Sequence, residues 1–135
     1  MTEARVQKVY EDQVSARELI EQAETFMRDA RKDGLDETSQ AVLLHNAAIR
    51  ACDAILQAAG LRVTPGDRSH ILRIETALDQ VDADTEDLLD RLDASRELRN
   101  EASYRAGFVA RASVSDAREA TSELIALARA TVGSD

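Results

Sequence analysis

The residues best suited to chemistry crowd into one stretch, RELRNEASY (Arg96 to Tyr104), where an acidic, alanine- and leucine-rich chain gathers arginines, an asparagine and one of its two tyrosines. Arginine can hold a phosphate or stabilise developing negative charge, and a tyrosine can donate a hydrogen bond or stack on a base. On a helix advancing about 100° per residue, Leu92 lies about 40° from Leu88 and Arg99 about 20°, so Arg99 falls in the middle of the apolar stripe. By the same count Arg96 lies at about 80°, Asn100 at about 120° and Tyr104 at about 160°, on the flank beside Leu89. A guanidinium keeps its proton and is costly to bury unpaired. Arg99 must therefore be paired inside, reach a cleft, meet a second subunit, or ride a helix end out into solvent.

Other side chains offer less. His45 shares a helical face with Ile49, Cys52 and Leu56 and reads as a packed histidine. His70 follows Asp67, but an isolated Asp-x-x-His makes no metal site, and the Glu-x-x-His pairs of di-iron bundles and the glycines of nucleotide-binding loops are absent. No metal and no cofactor are expected. The single cysteine, Cys52, excludes an internal disulfide or CxxC motif. Phe26, Met27, Phe108 and Tyr10 read as core or interface fillers.

Helices must position these residues. Ala16, Leu19, Ile20, Ala23, Phe26, Met27 and Ala30 keep the i, i+3, i+4 rule, which predicts a long first helix from about Glu3 to Arg31, ended by Asp33-Gly34. Asp36 or Thr38 can cap a second helix from about Glu37 to Ala59, apolar on nearly every side and stopped by Gly60. LRVTPG is then a loop, and Asp67 caps a third helix with Ile71, Ile74, Ala77, Leu78 and Val81 on one face. Asp84 caps a fourth from about Thr85 to Tyr104. Ser113 with Asp116 suggests a capping box for a fifth, striped by Ala117, Ala120, Thr121, Leu124, Leu127 and Ala128. No segment reads as a strand. The expected fold is all-α, an antiparallel up-and-down bundle of about five helices in a single domain spanning residues 1–135.

The 135-residue chain carries 26 acidic against 17 basic side chains, a formal −9, which argues against a general binder of nucleic acid or anionic membrane. The span from Arg91 to Arg111 departs from this, with five arginines against three carboxylates, a formal +2 that leaves −11 elsewhere. The same charges also form ordinary i, i+3 and i, i+4 pairs on a solvated helix. No window is long and apolar enough for a membrane span, and no signal-type segment opens the chain, so a cytoplasmic protein is expected.

The order Arg99-Asn100, Glu101-Ala102-Ser103, Tyr104, near the end of the penultimate long helix, resembles the signature of the HEPN superfamily. That signature is an arginine, a polar residue that is often asparagine, a few residues and a histidine. The resemblance extends from about Thr38 to Val132, over the apolar helix AVLLHNAAIRACDAILQAAG, the GDRSHILRI stretch and the closing helix, and leaves residues 1–34 as an added helix. It implies a small all-α bundle that dimerises, with metal-independent RNA cleavage where arginine and histidine of two subunits meet in a cleft. Non-catalytic relatives bind nucleotides or proteins, and some members are toxins controlled by partner nucleotidyltransferases.

Tyr104 stands where the family's histidine is expected. A phenol with a pKa near 10 begins about three units from neutrality, a handicap of roughly 4 kcal/mol for a general base. The tyrosine that some toxin members carry two residues beyond the histidine corresponds here to Ala106. The reading is thus a homodimer in which Arg99, Asn100 and Tyr104 form a degenerate motif, with Arg96, Arg99 and Arg105 placed to meet RNA or a nucleotide. Its setting would be toxin–antitoxin or defence biology, with a nucleotidyltransferase-type or other protein as partner. The alternatives are an endoribonuclease using Arg99 with Tyr104 or a compensating His45 across the dimer cleft, and a ligand-free helical scaffold.

Overall fold

Asp12 separates two kinds of structure. Before it, Val6, Val9 and Tyr10 favour extended backbone, and after it the apolar residues recur at helical spacing. The Asp12 carboxylate accepts hydrogen bonds from the Ser15 amide (3.0 Å) and hydroxyl (2.8 Å), which starts a helix there. The structure, a computed structural model, describes residues 2–104 and 111–133, with side chains described for 2–98 and 112–133. Its elements run β1 (Val6–Lys8), α1 (Gln13–Ala30), α2 (Glu37–Ala59), β2 (Leu61–Val63), α3 (Ser69–Asp79), α4 (Glu86–Tyr104) and α5 (Arg111–Thr131).

The all-α bundle expected from the sequence is what these elements form, with α2 at its centre. Helix α2 packs against each of the other four helices and against β2. Its Leu44, Ala47, Ala51, Cys52, Ala54 and Ile55 are fully buried. Ala16, Ala23 and Ala30 of α1 recur every seven residues with Ile20 and Met27 between them, and these small side chains let α1 lie close along α2. From the far side, Val114, Ala117, Ala120, Leu124 and Ala128 of α5 and Leu88 and Leu92 of α4 complete one continuous core.

Both ends of α2 follow the sequence reading. Asp36 accepts from the Ser39 amide at 2.7 Å, and Gly60 closes the helix in the left-handed region at φ 71°.

The first expected helix is shorter than its predicted span. Residues 3–12 lack an apolar stripe and instead form an extended arm, in which β1 pairs antiparallel with β2 through Val6 to Val63, Gln7 to Arg62 and Lys8 to Leu61. So two short strands exist where none was expected, and part of LRVTPG is one of them. The arm serves the carbonyls that every helix C-terminus leaves unpaired. The Val9 amide donates to Gly60 O (2.9 Å), the Asp12 amide to Gln57 O (3.1 Å) and Gln13 Nε2 to Ala58 O (3.3 Å). Gly60 has to remain glycine for this, since a Cβ there would stand 2.8 Å from Val9 O.

Other caps differ from expectation. Arg68, at φ 64° and without a side-chain cap, precedes α3, while the backbone of Asp67 exchanges hydrogen bonds with Thr2 and Ala4 of the arm. Helix α5 begins at Arg111, so Ser113 and Asp116 lie inside its first turns rather than forming a capping box. Helix α4 starts at Glu86, and the Thr85 carbonyl accepts its first bond, from the Leu89 amide, so the expected cap Asp84 stands one residue before the cap position, where it accepts from the Glu86 amide at 3.2 Å.

The Ser15 and Ser39 amides hold the Asp12 and Asp36 carboxyls below the usual carboxylate range. A carboxyl whose pKa is lowered by folding contributes stability above its unfolded value, and that stability is lost as pH falls through the lowered folded value. Asparagine caps without titrating. Asp36→Asn should therefore melt as the parent chain does near neutrality but lose less stability below about pH 4. Circular-dichroism melts across the acid range check this, and an unchanged acid response would contradict it.

Candidate functional site

Helix α4 carries the whole RELRNEASY stretch and ends at Tyr104. Its inward stripe is Leu88, Leu92 and Ser95, all buried against the core, and the helical repeat continues that stripe to position 99. The side chains of Arg99, Asn100 and Tyr104 lie outside the described residues, as does Arg105 altogether.

The neighbouring arginines are drawn into carboxylate pairs within the same chain. Arg96 Nε meets Asp93 Oδ1 at 3.1 Å, one helical turn back. Arg91 bonds Glu123 of α5 and lies 3.5 Å from Asp87. The hydrogen bond to Glu123 is the main reason its guanidinium is pushed further towards the charged form. Partly exposed pairs of this kind contribute little stability, yet they set the local charge. The cleft between α4 and α5, about 500 Å³, is lined by Arg91 with Glu97 and Asp116, together with Ser95, Leu98 and Ser113. Among the described residues, one guanidinium faces two carboxylates there, which makes no cradle for a phosphate. The cation excess of the 91–111 span therefore rests on Arg99, Arg105 and Arg111, whose side chains are not described.

Sequence reasoning treated the two histidines separately, and the fold brings them together. His45 on α2 and His70 on α3 place their ring centroids 6.3 Å apart with planes tilted by 58°. His45 is half-buried and His70 exposed, while Cys52 and Leu56 on the His45 face are buried. The packing expected of His45 is thus partial. Helical spacing within α2 could not report its neighbour, which comes from another helix. Among the described residues, no three metal-ligating side chains of the His, Cys, Asp or Glu type cluster together, and no helix is long and apolar enough to cross a membrane.

A second opening, about 540 Å³, lies at the other end of α2, beneath the arm. Asp53 of α2 and Arg73 of α3 form an ion pair there, Oδ1 to Nε at 3.2 Å, each side chain mostly shielded from water. Burial pushes the Asp53 carboxyl up, even though Arg73 and Arg50 pull it down. Arg50 itself stacks over Phe26, 6.0 Å from the ring centre. Tyr10 is not a core filler. It is 96% exposed at the mouth of this opening. Nothing in the spacing of residues 3–12 pointed here, because the signal is the pairing of the arm with β2.

Comparison with protein-family models, with curated proteins and with solved structures finds no match to this chain.

Cys52, the one thiol, is fully buried, and its pKa is raised to about 12, mainly by burial and then by the adjacent Asp53. Nucleophilic or redox chemistry needs an accessible thiolate. In the native chain at mildly alkaline pH, an aromatic disulfide reagent should leave Cys52 unmodified over minutes, and in guanidinium it should titrate one thiol. Rapid native modification would place Cys52 at an accessible site.

Proposed function

We propose that this chain is a HEPN-like helical module. It pairs with a second copy through α4 and acts as an RNA- or nucleotide-associated or protein-interaction element in toxin–antitoxin or defence settings within the cytoplasm, without nuclease chemistry of its own. The observation that carries this reading is the placement of the motif. Arg99, Asn100 and Tyr104 occupy the last turns of α4, on a helix whose inward stripe, Leu88, Leu92 and Ser95, leads to position 99. A guanidinium at that place needs a counter-charge or a cleft, and a second α4 across a twofold axis would supply a shared cleft with two copies of each motif residue.

Loss of catalysis follows from Tyr104 in the histidine's slot. Without a base near neutrality, the ribose hydroxyl keeps its proton, and the arginines can only bind. In keeping with this, Arg91 in the described cleft and Arg96 beside the motif are each paired with a carboxylate.

The enzyme reading keeps one observation in its favour. The 6.3 Å approach of His45 and His70 gathers two imidazoles, the side chain best suited to moving protons at neutral pH.

Incubating the full chain with single-stranded and with structured RNA in EDTA, beside Arg99→Ala and His45→Ala, separates the two. The non-catalytic reading expects no cleavage beyond the Arg99→Ala control. Metal-independent cleavage lost in both variants would overturn it and assign the site to a nuclease.

A further inference from the structure

The opening under the N-terminal arm has the shape and chemistry of a small-molecule site, and it is independent of the reading given to α4. Its volume, about 540 Å³, lies within the range of ligand pockets, which combine apolar walls with a few convergent polar groups. The walls are Leu19, Leu56, Leu61 and Val63, contributed by α1, α2 and β2. The polar groups are concentrated in the Asp53–Arg73 pair. Tyr10 stands at the mouth with 96% of its surface in water, an arrangement that wastes a large ring unless something covers it.

The sign of the ligand follows from the surrounding charge. Three carboxylates line the opening, Asp53, Glu11 and Asp12, against two guanidiniums, Arg62 and Arg73, with the Asp12 carboxylate already serving the N-terminus of α1. The C-terminal end of α2 borders it through Leu56 and Gln57, and a helix C-terminus carries partial negative charge. A carboxylate offers about four acceptor directions, so the Arg73 contact at Oδ1 leaves Asp53 able to take a second donor. Burial raises the Asp53 pKa despite two neighbouring arginines, which means the carboxylate is less well solvated inside the protein than in water. An incoming N–H donor would relieve that deficit. Tyr10 adds a π-face that attracts a cation or stacks on an aromatic body.

We propose that this opening binds a small organic cation, a protonated amine on an apolar or aromatic body, with the ammonium on Asp53 beside Arg73 and the body between the leucine wall and Tyr10.

Titrating the full chain with phenethylammonium chloride, followed by amide shifts in NMR, tests this, with phenylacetate as the probe of the same body and opposite charge. Saturable shifts in residues 9–12 and 56–63 are expected, with half-saturation at or below about a millimolar, and none of comparable size with phenylacetate. Asp53→Asn should weaken the ammonium about tenfold or more, through loss of one charge-assisted hydrogen bond. Tyr10→Ala, at a position too exposed to affect folding, should weaken it about two- to fivefold. Phenylacetate binding as tightly as the ammonium, no saturation by about 10 mM, or wild-type affinity in Tyr10→Ala would overturn the proposal. None of these outcomes depends on whether Asp53→Asn folds.

Discussion

A 23-residue helix with apolar side chains on nearly every side can show no long face to water, and α2 is such a helix. The other elements are arranged to cover it. Helix α1 lies along one side, α4 and α5 along others, and α3 with β2 closes the remainder. The C-terminus of α2 poses a polar problem as well, since its last carbonyls have no partner within the helix. The N-terminal arm solves it with the amides of Val9 and Asp12 and the side chain of Gln13, and β1 pairs with β2 in the same region. The short sheet thus sits against α2 rather than forming a separate layer.

This arrangement sets out two places where chemistry could occur. At the outer end of α4, a motif of arginine, asparagine and tyrosine follows a buried stripe, and the arginines before it are held by carboxylates of α4 and α5. Under the arm, the Asp53–Arg73 pair sits among apolar side chains with Tyr10 over the entrance. The two differ in charge as well as position. The first depends on cations of the 91–111 span, and the second has apolar walls with three carboxylates and two guanidiniums among them.

Much of the fold could be read from the sequence, because helix periodicity and caps are local. Asp36 and Gly60 mark the ends of α2 where their chemistry says they should, and the apolar residues of α1, α2 and α5 are those that fill the core. What could not be read was non-local. Val6, Val9 and Tyr10 carry no helical stripe, and the pairing of Val6–Lys8 with Leu61–Val63, far along the chain, is what holds the arm extended. The approach of His45 to His70 and of Asp53 to Arg73 likewise depends on how α3 packs on α2. The candidate motif was legible by residue order and by the 100° rule, since both are properties of one helix. Tyr10, expected in the core or at an interface, lies outside the core, because aromatic type alone does not say which of the two covers a ring.

The central claim is that α4 forms a seam between two copies of the chain around Arg99. Multi-angle light scattering of the full chain at tens of micromolar, repeated with Arg99→Glu, addresses it most directly. The account predicts twice the mass of one chain for the parent and a shift to a single chain's mass for the variant, since reversing the charge breaks any pairing a guanidinium makes at the seam. A parent that elutes as a monomer, or a dimer indifferent to Arg99→Glu, would contradict it.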